Sequence, residues 1–285
     1  MIVTDWVLVV VGLVWLITAV ICDIRTKEIP DWLNFSLIAM ALGIRGIGAI
    51  SMMDYMYFVW GLIGFAIFFV IACGMYYTRQ WGGGDAKMLM ALGALLATAP
   101  NLGIFMPNLD IPFLASLIIN LLVIGAAYGI LSGLAIGIWK WKKLYKELMK
   151  QDKTLLIIGM SIGILVALFG GIFGGSFWLL FLILGLVFAV FVKLVFILKG
   201  VEACCMFKNV KIKDLMEGDW IQGDVKKGRK IILKYKRLGI DLKDINKLKR
   251  NNIKSVIVKE GVPFLPAFLI AYIVTIIIGN FIFIF

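Results

Sequence analysis

Histidine is absent from this chain of 285 residues. Its absence excludes Ser-His and Ser-His-Asp catalysis and the H-E-x-x-H zinc site, because each of them needs an imidazole. Cysteine is scarce, since the four cysteines form no C-x-x-C pair and two of them, Cys204 and Cys205, are adjacent. The sequence also lacks a Walker A loop and a Rossmann fingerprint. We therefore expect no disulfide scaffold, no metal site and no cofactor.

Charged residues are few, and apolar residues dominate. Only 16% of the residues are charged, 62% are hydrophobic, and the mean hydropathy is +1.01. Repeated apolar runs approach the roughly 20 residues that a helix needs to cross a bilayer. The composition predicts an all-α polytopic membrane protein with about eight transmembrane helices. The predicted spans are 4–22, 32–50, 55–77, 86–99, 113–139, 154–170, 176–198 and 263–285.

Lysine and arginine are missing from alternate loops. The segments 51–54, 100–112 and 170–176 contain none. All 29 Lys and Arg residues except Arg45 lie in the segments on the other side, which are 23–31, 78–87, 140–153 and the stretch from the end of the seventh span, at Lys193, to 262. By the positive-inside rule, the basic loops face the cytoplasm and both termini face outside. The net charge of +12 then follows from topology and from anionic lipid at the cytoplasmic leaflet. No nucleic acid partner is needed to explain it.

The sequence divides into four predicted regions: 1–140, 141–199, 200–262 and 263–285. The third is a basic segment with the strand-like runs 210–212, 220–221, 229–235 and 255–258, and with a short amphipathic helix that Asp241 can cap. We interpret it as a small cytoplasmic α+β insertion. It either helps substrate or membrane contact or is a solvated basic loop with a structural role.

An acidic residue follows a run of three glycines where a polar loop meets an apolar helix. The run is Gly82-Gly83-Gly84-Asp85. A carboxylate at the edge of a bilayer is costly to bury and persists mainly where it has a function. Glycines have no Cβ, so they allow a turn with positive φ or the close approach of another chain segment. The alternative is a glycine turn with an ordinary Asp at a helix start.

The predicted topology brings a second carboxylate to the same membrane face. Asp23 ends the first span, and Asp85 precedes the fourth, which runs in the opposite direction. Two carboxyl groups at one rim can form a dyad in which one activates water and the other protonates the scissile carbonyl. Helix polarity favours an ionised Asp85, at a helix N-terminus, and a protonated Asp23, at a C-terminus. The alternative is that the fourth span, which is shorter than the hydrocarbon layer, places Asp85 in a recess below the headgroups that raises its pKa and opposes this effect.

Two motifs together resemble a known family. The segment 82–88, with its G-x-G-D pattern, and the segment 23–32, which carries Asp23, resemble the signatures of the type IV prepilin and archaeal preflagellin peptidases. The order and spacing of the two aspartates are also similar, and residues 261–271 resemble the last span of archaeal members. Bacterial members often carry a tetracysteine zinc site, which this chain lacks, so the archaeal branch fits better.

The resemblance implies a membrane aspartic endopeptidase that removes basic leader peptides from pilin or archaellin precursors at the cytoplasmic face. It implies Asp23 and Asp85 as catalytic residues. We expect Gly82, Gly83 and Gly84 to make the site reachable for substrate, and Glu28 and Asp31 to contact a cationic leader. The alternative function is a transporter or channel with functional intramembrane acids, which the position of both acids at one rim disfavours.

Overall fold

The fold was analysed in a computed structural model that describes residues 2–103, 111–228, 230–236 and 239–280. The chain forms two compact units, Met1–Gly129 with Gly261–Phe285, and Ile130–Glu260. Its helices are α1 (Ile2–Thr26), α2 (Asp31–Met52), α3 (Met56–Tyr77), α4 (Gly83–Leu95), α5 (Phe113–Trp139), α6 (Trp141–Lys150), α7 (Thr154–Phe173), α8 (Trp178–Cys205), α9 (Leu242–Arg250) and α10 (Leu265–Ile277).

The predicted all-α polytopic class is confirmed. Each of the eight predicted spans contains a helix, and six helices, α1, α2, α3, α5, α7 and α8, are long and apolar enough to cross a membrane. The other two, α4 and α10, have 13 residues each among those described. At about 1.5 Å per residue, 13 residues rise about 20 Å, less than the ~30 Å of hydrocarbon. The last five residues of the predicted final span lie outside the described part of the chain.

Local signals explain where the first helices end and begin. Lys27 adopts a left-handed conformation with φ 58°, and its amide donates to the Asp23 carbonyl as α1 ends. Pro30, with ψ 135°, precedes α2; its ring fixes φ and suits a helix start. The tight turn between them places Asp23 and the start of α2 at one end of the unit.

A pair of glycines lets α3 and α4 pack closely. A Cβ on Gly93 would lie 2.4 Å from the Gly64 carbonyl oxygen, and a Cβ on Gly64 would lie 2.2 Å from that of Gly93. Small residues at such contacts allow helix backbones to approach within membranes. The short helix α4 is therefore embedded in the unit, and most of its residues are buried, including Met88, Leu89 and Leu92.

Arg45, the one basic residue outside the basic loops, is buried with its donors in use. Its Nε donates to the carbonyl of Ala94 (2.8 Å), Nη2 to that of Leu95 (3.0 Å) and Nη1 to that of Tyr57 (3.1 Å). The Tyr57 hydroxyl in turn donates to Asp5 Oδ1 at 2.6 Å. The last carbonyls of a helix lack intrahelical partners, so Arg45 completes the C-terminus of α4.

The second unit contains a helical hairpin and a small module that includes strands. Helices α7 and α8 pack on each other at Gly163 and Gly185, whose added Cβ atoms would each meet the backbone of the other helix. The module has an antiparallel sheet in the order β1-β5-β2, a separate β3-β4 ribbon and α9. Its strands are β1 (Phe207–Lys211), β2 (Trp220–Ile221), β3 (Val225–Lys227), β4 (Lys230–Leu233) and β5 (Ser255–Lys259).

The prediction of a strand-containing insertion is confirmed, with changes in detail. The run 225–227 was not predicted as a strand, yet it pairs with β4 through an irregular register. The predicted cap of α9 is present, because the Asp244 amide donates to Asp241 Oδ1 at 2.8 Å. Arg229, in the predicted run 229–235, lies outside the described residues. Buried Ile232, Leu248 and Val258 belong to one apolar core of the module.

Candidate active site

Asp23 lies in the last turns of α1 and is only 7% exposed. Its Oδ2 accepts a hydrogen bond of 3.0 Å from the backbone amide of Leu265, the first residue of α10. The first amides of a helix have no intrahelical partner, so this donor is available to the carboxylate. The bond joins positions 242 residues apart, and the spacing of the motifs does not reveal it.

Asp85 lies in the first turn of α4, outside the six candidate spans. Its Oδ2 accepts a hydrogen bond of 3.2 Å from the Gly82 amide, which holds the carboxylate at the helix start. Burial raises the pKa of Asp85 to about 7, the nearby Asp23 carboxylate acts in the same direction, and the Gly82 hydrogen bond opposes them. This direction is opposite to the one that helix polarity alone predicts.

Asp23 lies close enough to Asp85 for its charge to act on the Asp85 carboxyl group, and after burial it is the second cause that raises the pKa of Asp85. That the two form a catalytic dyad stays a prediction. Two carboxyl groups in electrostatic contact do not both ionise easily, so they take up one proton as a pair. The arrangement can therefore present one carboxylate and one carboxylic acid to a bound water and a peptide carbonyl.

The three glycines have different surroundings. None of them has a positive φ, so of the two alternatives that the glycines allow, a left-handed turn is not the one found in this loop. An added Cβ on Gly84 would lie 2.9 Å from the Ile29 side chain, whereas one on Gly83 would meet its first neighbour, Tyr76, at 3.7 Å. A Cβ on Gly82 would lie 3.3 Å from Asp85 Oδ2. Gly84 is thus the position where α4 and the segment after Asp23 approach each other.

The two acids proposed to meet a cationic leader lie on the surface near the start of α2. Glu28 and Asp31 are both exposed. Asp31 Oδ1 lies 2.5 Å from Lys87 Nζ, and this ammonium also lies 5.7 Å from the centre of the Phe35 ring. Lys87 therefore links α4 to α2 and neutralises part of this acidic surface.

The start of α10 is the part of the site that the motifs did not identify. Besides the Leu265 amide, Phe264 and Phe268 contact Trp81, the residue before the glycine run, with ring centres 6.1 and 5.4 Å apart. The only signal in the sequence was the resemblance of residues 261–271 to a terminal archaeal span. In the part of the chain that the structure describes, no three His, Cys, Asp or Glu side chains form a group that could hold a metal ion.

Comparisons with known proteins agree with this site. Residues 10–130 match the model of the type IV leader peptidase family. The preflagellin peptidase of Methanocaldococcus jannaschii is 32% identical over 87 residues, and that of Methanococcus maripaludis is 33% identical over 87 residues. Each match covers 30% of this chain and 37% of the relative, so the chain spans just over a third of the length of these curated relatives. No solved structure matches. The segment 10–130, which contains Asp23 and Asp85, is therefore similar to the type IV leader peptidase family.

Proposed function

We propose that this chain is a membrane aspartic endopeptidase that removes basic leader peptides from archaellin or pilin-like precursors at the cytoplasmic membrane face. The observation that carries the proposal is that the segments of two distant carboxyl groups, Asp23 and Asp85, meet where Gly84 approaches Ile29, within a family-matched segment, and that the charge of Asp23 acts on Asp85. The family match and the names of the two relatives support a peptidase with such substrates. The cytoplasmic face is supported by the distribution of lysine and arginine.

In the proposed reaction the dyad starts with one proton. The ionised carboxylate takes a proton from water as its oxygen bonds to the scissile carbonyl carbon, while the other carboxyl donates its proton to the carbonyl oxygen. The tetrahedral diol then collapses: the C–N bond breaks, the leaving nitrogen receives the proton held by one carboxyl, and a hydroxyl of the diol gives its proton to the other, so the dyad again holds one proton. A pKa of about 7 suits Asp85 to hold the proton near neutral pH.

Substrate contacts follow from the surroundings of the dyad. Gly82, Gly83 and Gly84 leave little side-chain bulk beside Asp85, so an extended substrate strand can approach the carboxyl group. Glu28 and Asp31 are exposed acids near the end of α1 and suit a basic leader. The Lys87 ammonium at Asp31 weakens this attraction locally.

The proposal is tested with the full chain in membranes, incubated with an archaellin-type precursor and, separately, with a pilin-type precursor that both carry basic leaders. Asp23→Asn and Asp85→Asn should each lower the cleavage rate by roughly 10²–10⁴-fold at unchanged protein level. Asp54→Asn is the matched control, because Asp54 is an exposed acid that accepts only a local hydrogen bond from the Met56 amide. Cleavage of neither precursor by the parent chain, or parent-like cleavage by either dyad variant, would overturn the proposal. Altered ion or solute flux without shortening of a precursor would favour the transporter.

A further inference from the structure

The start of α10 contacts the segments of both aspartates. We propose, on the basis of the peptidase function above, that Phe264, Leu265 and Phe268 form a positioning element that fixes the geometry of the Asp23–Asp85 dyad. These residues lie outside the family-matched segment 10–130. The positioning element therefore contributes contacts to the site that residues 10–130 do not make by themselves.

The contact to Asp23 is direct. The Leu265 amide donates to Asp23 Oδ2 at 3.0 Å, and the amide of Phe264 also interacts with the carboxyl group. Leu265 is fully buried, so water does not compete for the carboxylate from this side. A hydrogen bond from a helix N-terminus to a carboxylate is charge-assisted and directional, so it restricts where the Asp23 oxygens can point.

The contact to Asp85 runs through Trp81. This side chain is 6% exposed and lies directly before the glycine run. Phe264 and Phe268 pack against it, and their own ring centres are 5.9 Å apart. The loop that leads to Asp85 has no side chains of its own at 82–84, so Trp81 is its nearest packed anchor. A shift of Phe264 would be transmitted to the start of α4.

The positioning element is itself held firmly. Pro266 lies in the first helical turn, where a fixed φ favours the helix. Further along α10, the Tyr272 hydroxyl donates to the Val9 carbonyl of α1 at 2.8 Å. The Phe264 ring packs against Gly125 of α5, where an added Cβ would lie 2.7 Å from the ring. The start of α10 therefore has little freedom to move relative to α1.

The first experiment removes the amide hydrogen alone. Leu265 is replaced by its α-hydroxy analogue during cell-free synthesis of the full chain into lipid, which turns one amide into an ester and keeps the side chain. The matched control is the same replacement at Ala267, whose amide donates to the Phe264 carbonyl and not to Asp23. We expect kcat to fall by roughly 10- to 100-fold for the ester at 265, with KM changed less than about twofold. The ester at 267 should stay within about threefold of the parent.

The second experiment measures the binding affinity of two leader peptides that are not cleaved. In the first peptide the scissile amide is methylated, and in the second it is replaced by a tetrahedral carbon that bears a hydroxyl group. Phe264→Leu should weaken binding of the hydroxyl peptide by about 10-fold or more and leave that of the amide peptide unchanged, because only binding of the hydroxyl peptide depends on dyad geometry. Trp81→Phe, which keeps an aromatic ring, should retain most of the affinity. Thr275→Val is the packing control, since it removes the hydrogen bond that Asn120 of α5 donates to the Thr275 hydroxyl, further along α10 and away from the dyad.

The outcomes separate the two proposals. Parent-like kcat for the ester at 265, or equal losses for Phe264→Leu and Thr275→Val with both peptides, would overturn the positioning element while the peptidase function stands. A parent chain that cleaves no precursor would overturn the peptidase function, and the positioning proposal would fall with it. Selective loss with the ester at 265 and with the hydroxyl peptide supports the positioning element.

Discussion

In the unit formed by Met1–Gly129 and Gly261–Phe285, three charged side chains of the described residues, Asp5, Asp23 and Arg45, lie buried between helices, whereas in Ile130–Glu260 the charged side chains lie mostly at the surface. Arg45 and Asp5 are at most 3% exposed and bond to groups far away in the sequence. In the second unit, Lys259 pairs with Glu202 while both side chains remain a third or more exposed. The apolar side chains show the reverse contrast, since those of α7 and α8, such as Ile172 and Val187, are more than half exposed.

Apolar composition alone does not distinguish a helix that carries part of a site from a helix that only spans the membrane. The helices α7 and α8 are more apolar than α4, yet they pack mainly on each other and expose the rest to lipid. Buried polar groups in the first unit are costly unless they are paired, and that cost fixes one arrangement of its helices. A catalytic dyad needs such a fixed arrangement.

The largest effect on stability is expected for Arg45→Met. The substitution leaves three backbone carbonyls without their donor and leaves Asp5 without a buried cation, which should destabilise the protein by roughly 3–5 kcal/mol. The matched change in the second unit, Lys259→Met, breaks a partly exposed pair with Glu202 and should cost less than about 1 kcal/mol. Thermal and denaturant unfolding of the purified chain in detergent measures both. Equal losses of stability for the two variants would contradict the difference between buried and surface charges in the two units.

Gly84→Val should have the largest effect on activity after the dyad variants. Its Cβ would lie within 2.9 Å of Ile29, so α4 and the segment after Asp23 must separate, and a displacement near 1 Å can cost about 10²-fold in rate. Gly83→Ala is the comparison, since its Cβ meets only an ordinary contact at 3.7 Å, and it should lose much less. Cleavage rates at equal protein level provide the measurement. A folded Gly84→Val variant that cleaves at the parent rate would make Gly84 a simple turn residue.

The pH dependence of kcat/KM tests the shared proton. Because the pKa of Asp85 is raised to about 7, Asp85 is protonated below that pH and ionised above it. The active dyad needs one proton, so kcat/KM should fall by about tenfold per pH unit above pH 7. A profile that stays flat to pH 9 would show that Asp85 does not hold a catalytic proton. Substitutions in Ile130–Glu260 should not change this fall of kcat/KM above pH 7.

The smallest effect is expected in the module. Asp241 caps α9 and also pairs with Lys236 at 2.9 Å. Asp241→Ala should destabilise α9 by about 1 kcal/mol and increase amide hydrogen exchange there, while the cleavage rate remains that of the parent. A clear loss of cleavage would couple the module to the site and would weaken the division between the two units.

Hydropathy and capping signals predicted most of the helical fold. The eight apolar segments, the start of α2 after Pro30 and the cap at Asp241 are local features, so their physics is contained in short stretches of sequence. The span of α4 was predicted to reach residue 99, but the helix ends at Leu95, where Arg45 binds its last carbonyls. A long-range side chain thus set this end, and hydropathy carries no information about it.

The sequence by itself determined the membrane class, the basic loops and the two aspartate motifs, because hydrophobic length, charge and glycine content act locally along the chain. Only the tertiary structure decided that the Leu265 amide meets Asp23, that Ile29 needs the space beside Gly84, and that burial raises the pKa of Asp85. Each of these depends on desolvation and on contacts between segments distant in the sequence. Such terms arise only when the helices pack together.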